Sequence, residues 1–218
     1  MRHTPDPSRL KKRSDLHLAR KLFHVSGAAV LLIPYLVLGF SRETMAGMLG
    51  AILTFVMAME YARMRWPAFN AVTARIMGPI LRDTELDRWS GIPFYMASCL
   101  FAFLVFPHHI AVLSILYLAF GDPSSSFFGV LYGKNRLFPN KSLQGTVGGF
   151  LVCALATWIY FRLAGLSGEK ILVFAIIGGF AGSVAELLPL HIDDNFSIPV
   201  VSGAIMALAF WAADLPLV

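Results

Sequence analysis

Long stretches without a charged residue dominate this sequence. No Asp, Glu, Lys or Arg occurs within residues 22–41, 89–121, 142–161 or 195–213. A helix needs about 20 consecutive, mostly apolar residues to cross a lipid bilayer. Charged residues make up 14% of the chain, whereas soluble domains usually carry about 25%. These stretches therefore predict an integral membrane protein.

The stretches predict an all-α, polytopic bundle of about seven transmembrane helices, with six or eight spans as alternatives. Pro107, followed by His108 and His109, divides the longest uncharged stretch, and Ser41 to Glu43 separate the first two spans. The predicted spans are 22–40, 44–61, 91–106, 109–132, 146–164, 170–188 and 197–214.

The distribution of basic residues predicts the orientation. All 18 Lys and Arg residues except Arg42, Arg162 and Lys170 lie in three segments, namely the N-terminal arm, residues 62–90 and residues 133–145. With seven spans these segments share one face of the membrane, and the positive-inside rule makes that face cytosolic. We therefore expect a cytosolic N-terminus and an outside C-terminus.

The chain divides into a basic cytosolic arm (1–21) and a single transmembrane domain (22–218). The polar start of the arm and the long first apolar stretch argue against a cleavable signal peptide. Cys99 and Cys153 lie in apolar stretches, as small buried residues do. The net charge of +5 lies in loops that flank the membrane, which indicates contact with membrane lipids rather than nucleic acid.

A second kind of helix is predicted between the second and third spans. Apolar residues recur there at spacings of three and four, with arginines between them. This pattern is typical of an amphipathic helix lying in the membrane interface, and a plain connecting loop is the alternative. The apolar positions are Trp66, Phe69, Val72, Ile76 and Ile80.

Asp122 is the acidic residue deepest within a predicted span. It follows Gly121 and precedes Pro123 and three serines, so we expect the helix to be interrupted there. Charged groups inside a membrane are costly and usually line a functional cavity. The sequence therefore predicts a polar pocket for a cation or a phosphate at Asp122, with a packing kink as the alternative.

Two loops on the cytosolic side carry further candidates. The first contains Lys134 and then Lys141, Ser142 and Gly145 just before a helix start, where backbone N–H donors and an ammonium group can hold phosphates. Its glycine spacing does not match the Walker A motif. The second combines Glu186 with Asp193, Asp194 and Asn195, whose oxygen atoms are of the kind that Mg²⁺ prefers. Each loop has a structural alternative, as a topology anchor or a solvated turn.

The order of these residues along the chain resembles the polyprenol, dolichol and phytol kinase family, whose members use CTP to phosphorylate long-chain isoprenoid alcohols. Ser125 and Gln144 depart mildly from that family's pattern. The matching residues are Arg20, Lys21, His24, Gly27, Arg82, Glu85, Gly91, Gly121, Asp122, Gly129, Gly133, Lys134, Lys141, Ser142, Gly145, Glu186, Asp193, Asp194, Asn195 and Pro199.

The resemblance implies phosphoryl transfer from CTP to the hydroxyl of an isoprenoid or other lipid alcohol in the bilayer. Asp122, Asp193, Asp194 and Lys141 are the expected catalytic residues. The nucleotide would contact Lys134, Lys141, Ser142, Gly145 and Asn195. Mg²⁺ would be held by Asp122, Glu186, Asp193 and Asp194. His24 could contact the phosphate or the alcohol.

Several alternatives stay open. The neighbouring CDP-diacylglycerol synthases share an Asp-containing helix and a Lys-Ser-like loop, so a cytidylyltransferase is the first rival. A transporter is the second, although no internal repeat is visible. Diacylglycerol is the second choice of acceptor, and a homodimer remains an option. The expected location is a prokaryotic cytoplasmic membrane, with the active site facing the cytosol.

The orientation can be tested with topology reporters. We expect a reporter fused after Val218 to lie outside the cytosol, and reporters inserted near Arg75 and Arg136 to lie inside it, because basic loops are retained in the cytosol. Accessibility to a membrane-impermeant reagent is the measurement. A cytosolic C-terminus would contradict the seven-span arrangement.

Overall fold

The structure is a computed structural model that describes residues 18–165, 170–190 and 192–213, apart from the side chain of Asp83. Most of the predicted basic arm and the chain end at Val218 lie outside these residues. The helices are α1 (Leu18–Leu36), α2 (Arg42–Arg65), α3 (Pro67–Met77), α4 (Gly91–Val105), α5 (His108–Leu116), α6 (Asp122–Tyr132), α7 (Leu143–Leu163), α8 (Lys170–Leu187) and α9 (Asp194–Ala212). A short 3₁₀ turn covers Asp83–Glu85, and an antiparallel hairpin pairs β1 (Arg136–Phe138) with β2 (Lys141–Ser142).

The all-α membrane bundle predicted from the sequence is confirmed. Each predicted span coincides with a helix. An uncharged stretch in a bilayer has no water to bond its backbone, and a helix satisfies the backbone hydrogen bonds within the stretch itself. The number of crossings and the orientation stay predictions. Within the described residues, five helical stretches are long and apolar enough to span a bilayer, and Gly91–Val105 is a shorter apolar helix. The five are Arg42–Arg65, His108–Tyr132, Leu143–Leu163, Lys170–Leu187 and Asp194–Ala212.

The stretch from His108 to Tyr132 forms the central helix of the bundle. About 61% of its most apolar window is buried, against 17% for α2, which lies at the periphery. Helix α7 packs on α6, α8 packs on α7 and α9 packs on α8, and α9 also packs on α4 and α5. The hydrophobic core therefore includes α5 and the residues that follow it as far as Ala119.

The predicted interruption at Asp122 is a change of helical pitch and not a break. Residues Tyr117–Gly121 form a π-helical turn, and the N–H of Asp122 donates to the carbonyl of Tyr117. A π-turn absorbs an extra residue without ending the helix, and Pro123 then starts the next α-helical turn without needing its missing N–H. The helix therefore continues from α5 into α6 while the direction of Asp122 is altered.

Small residues bring α6 and α7 close together. A Cβ atom on Gly145 would lie 2.6 Å from the carbonyl oxygen of Ser125 and 3.2 Å from the Cα of Gly129. A Cβ atom on Gly149 would collide with the Ser125 hydroxyl. Ser125 is buried in this contact, so its departure from the family pattern coincides with a site where only a small side chain fits.

The amphipathic helix predicted after the second span is present as α3. It begins at Pro67, whose lacking N–H is harmless at the first helical position, and it ends at Met77. None of its residues is buried, and Trp66, Val72 and Ile76 are largely exposed. Ile80 lies beyond its end. Placement of α3 in the membrane interface stays a prediction.

A buried arginine fixes the segment that follows α3. The side chain of Arg63 is 1% exposed and pairs with Glu60 at 2.8 Å. It also donates to the carbonyl oxygens of Glu85 and Leu86 at 3.0 Å, and to that of Arg88. Glu60 in turn accepts from the N–H and hydroxyl of Ser90. The intramembrane carboxylate of Glu60 is thus part of a structural ion pair.

We expect Arg63→Met to destabilise the protein severely. Removing one partner of a buried ion pair leaves an uncompensated charge, which costs about 3–5 kcal/mol and corresponds to a lower thermal midpoint by roughly 6–20 °C. The thermal midpoint of purified protein in detergent is the measurement. Arg65→Met is the matched control, because Arg65 is exposed, and equal midpoints for the two variants would contradict the structural role of Arg63.

Candidate active site

A cavity of about 520 Å³ opens at the end of the bundle where α1, α7 and α9 begin and where α6 and α8 end. Its volume lies in the range of small-molecule and cofactor sites, about 300–1,000 Å³. Five cationic side chains and three carboxylates contribute to its wall. Its lining residues are Arg20, Lys21, His24, Arg82, Thr84, Asp122, Pro123, Ser125, Ser126, Gly129, Val130, Arg136, Asn140, Lys141, Ser142, Gly145, Thr146, Glu186 and Asp194.

Ion pairs with neighbouring elements position two arginines of the wall. Arg20 of α1 pairs with Glu85 at 3.2 Å. Arg82 pairs with Asp193 at 3.1 Å, and its backbone N–H donates to Glu85 at 2.9 Å. Glu85 therefore links the start of α1 to the segment before α4, and Asp193 links that segment to α9. Glu85 and Asp193 do not line the cavity themselves, so this part of the wall remains basic.

Lys141 bridges two carboxylates of the wall. Its Nζ atom lies 2.6 Å from Oε1 of Glu186 and 3.4 Å from Oδ2 of Asp194. Burial disfavours the charged ammonium, but the carboxylates of Glu186 and Asp194 outweigh burial and hold the pKa of Lys141 above its ordinary value. Lys141 is therefore a cation at neutral pH, in contact with two carboxylates of a kind that also binds metal ions.

The hairpin and the start of α7 present Lys141 and Ser142 to the cavity. Strand β2 consists of these two residues, and the Ser142 hydroxyl caps α7 by accepting from the N–H of Gly145 at 3.2 Å. The N-terminus of a helix favours anions because its first N–H groups have no partner within the helix. The predicted helix start directly after the Lys-Ser pair is confirmed.

Asp122 lies at the deep end of the cavity. It precedes the end of α6 at Tyr132 by ten residues, which at 1.5 Å per residue is about 15 Å along the helix. Glu186 and Asp194, in contrast, lie at the very end of α8 and the first position of α9. His24 of α1 is 2% exposed and interacts electrostatically with Asp122. The cavity thus combines two carboxylates at its rim with one carboxylate and one imidazole at depth.

Three polar atoms in this wall are buried without a hydrogen-bond partner. They are Nη2 of Arg20, Nδ1 of His24 and Oε2 of Glu186, and among the described residues the only other such atom is the hydroxyl of Ser197. An unsatisfied buried polar group costs about 1–3 kcal/mol. Their concentration around one cavity is typical of a binding site whose ligand would satisfy them.

Most of the residues proposed from the sequence meet in this cavity. Lys134, Asp193 and Asn195 do not line it. Lys134 is exposed, Asp193 caps α9 and pairs with Arg82, and Asn195 is buried with its amide donating to the carbonyl of Gly91. The geometry therefore does not favour direct contact between these three residues and a nucleotide or a metal ion. The residues that do line it are Asp122, Lys141, Ser142, Gly145, Glu186 and Asp194.

Sequence reasoning did not assign Arg20, Lys21, Arg82 or Arg136 to the site. These residues entered only the prediction of how the chain is oriented in the membrane, although the first three also belong to the family pattern. Their acidic partners Glu85 and Asp193 belong to the same pattern, but the pattern does not show which of its residues pair in the folded chain. Arg136 is not part of the pattern, and its place in the cavity depends on the β1–β2 hairpin.

The donor groups fit a magnesium–nucleotide complex. Among residues 18–165, 170–190 and 192–213, no three His, Cys, Asp or Glu side chains are grouped closely enough to hold a metal ion by themselves. Mg²⁺ bound with a nucleotide usually takes only one or two carboxylates, and phosphates and water complete its shell. Oε2 of Glu186 is unpartnered, and Asp194 lies beside it across Lys141. These two carboxylates could supply the protein's share of such a site.

Comparison with known proteins identifies relatives of one kind. No family model and no solved structure matches this chain. The CTP-dependent diacylglycerol kinase 1 of Schizosaccharomyces pombe is 36% identical over 160 residues, which cover 68% of this chain and 73% of the relative.

Two further relatives carry the same name. The protein of Eremothecium gossypii is 29% identical over 69% of this chain, and the match spans 54% of that relative's length. The protein of Saccharomyces cerevisiae is 25% identical over 87% of this chain and 72% of its own length. These relatives are fungal, and none is named as an isoprenoid kinase. The chain belongs to the family of CTP-dependent lipid kinases.

Proposed function

We propose that this protein transfers the γ-phosphoryl group of CTP to the hydroxyl of a membrane lipid alcohol, with diacylglycerol as the favoured acceptor. The observation that carries the proposal is the cavity itself. Five cations, two rim carboxylates and the deeper Asp122 converge at one end of an otherwise apolar bundle. Phosphoryl transfer requires mainly positioned charges of this kind.

The triphosphate would lie along the basic wall at the cavity mouth. Lys141, Arg82 and Arg136 provide cations, and the first turn of α7 provides backbone N–H donors near Ser142. Arg20 lines the same wall and provides a further cation. Guanidinium groups suit phosphate because they can donate two hydrogen bonds in one plane. With a cytosolic N-terminus this mouth faces the compartment that contains CTP.

Glu186 and Asp194 would hold Mg²⁺ together with the phosphates. The bound ion would neutralise charge on the β- and γ-phosphates during transfer. Lys141 lies between the two carboxylates, so its ammonium would move from them toward a phosphate oxygen when the nucleotide binds. Asp193 supports the site indirectly, because it holds Arg82 and caps the helix on which Asp194 lies.

Asp122 would take the proton from the acceptor hydroxyl. The hydroxyl oxygen attacks the γ-phosphorus, the bond from that phosphorus to the β-phosphate oxygen breaks, and CDP leaves. The proton of the hydroxyl passes to the Asp122 carboxylate, and the product is the phosphomonoester of the lipid. His24, whose Nδ1 is buried and unpartnered, can orient the hydroxyl by hydrogen bonding. Asp122 lies below the end of α6, at a depth that the hydroxyl of a lipid dissolved in the bilayer would reach.

Diacylglycerol is favoured over an isoprenoid alcohol by the names of the relatives. A polyprenol, dolichol or phytol-like alcohol remains the second acceptor, since the family pattern in the sequence extends to kinases of that type. Both acceptors carry a primary hydroxyl on a molecule dissolved in the bilayer. A cytidylyltransferase would instead release pyrophosphate and form a CDP-lipid, so analysis of the products separates the two activities.

The proposed activity can be tested with purified protein, labelled CTP and a panel of acceptors. We expect CDP and a phosphorylated lipid as products, CTP to outcompete ATP as donor, and diacylglycerol to be used in preference to isoprenoid alcohols. Glycerol and sugars should be poor acceptors, because the cavity lies within a bundle of apolar helices and the acceptor is proposed to reach it from the bilayer. Release of pyrophosphate, clear ATP preference or equal use of glycerol would each contradict the proposal.

Exchange of Asp122 for Asn tests its role as the base. We expect Asp122→Asn to lower kcat by about 10²–10⁴-fold, with a smaller change in the KM for CTP, because the proposed contact of Asp122 is with the acceptor hydroxyl.

Asp193→Asn is the matched control, since Asn also caps helices well and the side chain does not line the cavity. Its effect should be a modest rise in the KM for CTP through the weakened hold on Arg82. An Asp122→Asn enzyme with near-normal kcat would remove Asp122 from the chemistry.

A further inference from the structure

On one side of the cavity, helices α1 and α6 both contribute to the wall but do not pack closely on each other. Arg20, Lys21 and His24 of α1 line this side, and Ser126 and Val130 of α6 line it opposite them. Helix α1 packs mainly against the π-turn Tyr117–Gly121 and has only small contacts with α2 and α5. The close helix packing that seals the α6–α7 side is therefore missing between α1 and α6.

Among the described residues, the long side chain of Lys21 crosses this side. The Nζ atom of Lys21 donates to the carbonyl oxygen of Pro123 at 3.1 Å and lies 5.9 Å from the centre of the Phe127 ring. A lysine side chain has four rotatable carbon–carbon bonds and moves far more readily than a packed helix. The contact between α1 and α6 at this level is thus one that a side-chain rotation can open.

The residues that flank this side are apolar and exposed. Leu18 and Leu22 of α1 are 65% and 60% exposed, and Phe127 of α6 is 41% exposed. In a membrane-spanning bundle such side chains face hydrocarbon. Two other aromatic residues of α6 and α7 do not face hydrocarbon at this side: Phe128 packs against Gly148, and Phe161 is fully buried.

We infer that the gap between α1 and α6, closed by Lys21 and Phe127, is the lateral passage through which the lipid acceptor reaches Asp122. The inference rests on the proposed function. The hydrocarbon chains of the acceptor lie between Leu22 and Phe127 and remain in the bilayer, while the hydroxyl extends past Pro123 to the deep carboxylate. Lys21 turns from the Pro123 carbonyl toward the lipid's polar group or a phosphate, so it positions the acceptor and takes no part in the chemistry.

Cysteine labelling provides a test that does not depend on turnover. The native Cys99 and Cys153 are 0% and 1% exposed, so a cysteine placed at Phe127 can be modified selectively by a bulky maleimide such as pyrenylmaleimide. Phe180→Cys is the matched control, because Phe180 is an exposed phenylalanine at a similar distance from the end of α8.

We expect dioleoylglycerol to slow labelling of Phe127→Cys and not of Phe180→Cys. At a mole fraction about twice the KM the protection should be about threefold. Dioleoylphosphatidylcholine, which has the same chains and no free hydroxyl, should protect neither position. Equal labelling rates with and without dioleoylglycerol would overturn the passage.

Kinetics of the labelled proteins provide the second readout. Labelling of Phe127→Cys should lower kcat/KM for dioleoylglycerol by about tenfold or more relative to the same variant before labelling, with an unchanged KM for CTP. Labelling of Phe180→Cys should change neither value. If labelling of an active Phe127→Cys enzyme left kcat/KM unchanged, the passage would be refuted and the proposed function would stand. If the wild-type protein phosphorylated no lipid, the proposed function itself would be refuted.

Discussion

The buried guanidinium of Arg63 organises the end of the bundle that contains the cavity. A buried charged group must be paired and its hydrogen bonds completed, and Arg63 meets this demand with Glu60 and three backbone carbonyls of the segment before α4. That segment carries Arg82 and Glu85, and Glu85 in turn holds Arg20. One buried charge thus determines where the basic wall of the cavity stands, although it does not line the cavity itself.

A second constraint places the deep carboxylate. The π-turn rotates the chain just before Asp122, and the close approach of α6 and α7 through Ser125, Gly145 and Gly149 fixes the helix that follows. Larger side chains at these positions would separate the two helices and move Asp122 away from Lys141. Local helix geometry and small residues therefore place a carboxylate deep in the bundle without breaking the helix.

The sequence indicated the helices well, since runs of uncharged residues follow directly from the cost of placing charge in lipid. It indicated Asp122, Lys141 and Glu186 because each is a polar residue at an unusual position. It could not separate Asp193 from Asp194. These neighbours differ only in that α9 starts between them, so one caps the helix while the other lines the cavity. Arg82 required knowledge of the tertiary structure, because Asp193, its partner in the ion pair, is 111 residues further along the chain.

The position of Lys141 between Glu186 and Asp194 has a consequence for selectivity. Without a ligand the ammonium is already paired with two carboxylates, so a free anion would gain little from the ammonium and would be repelled by both carboxylates. A ligand that brings its own cation can exchange partners, with the cation replacing the ammonium on the carboxylates while the ammonium turns to the anion. Such an exchange favours a metal-bound polyphosphate over inorganic phosphate. In the proposed site, the resting ion pairs would therefore select against simple anions.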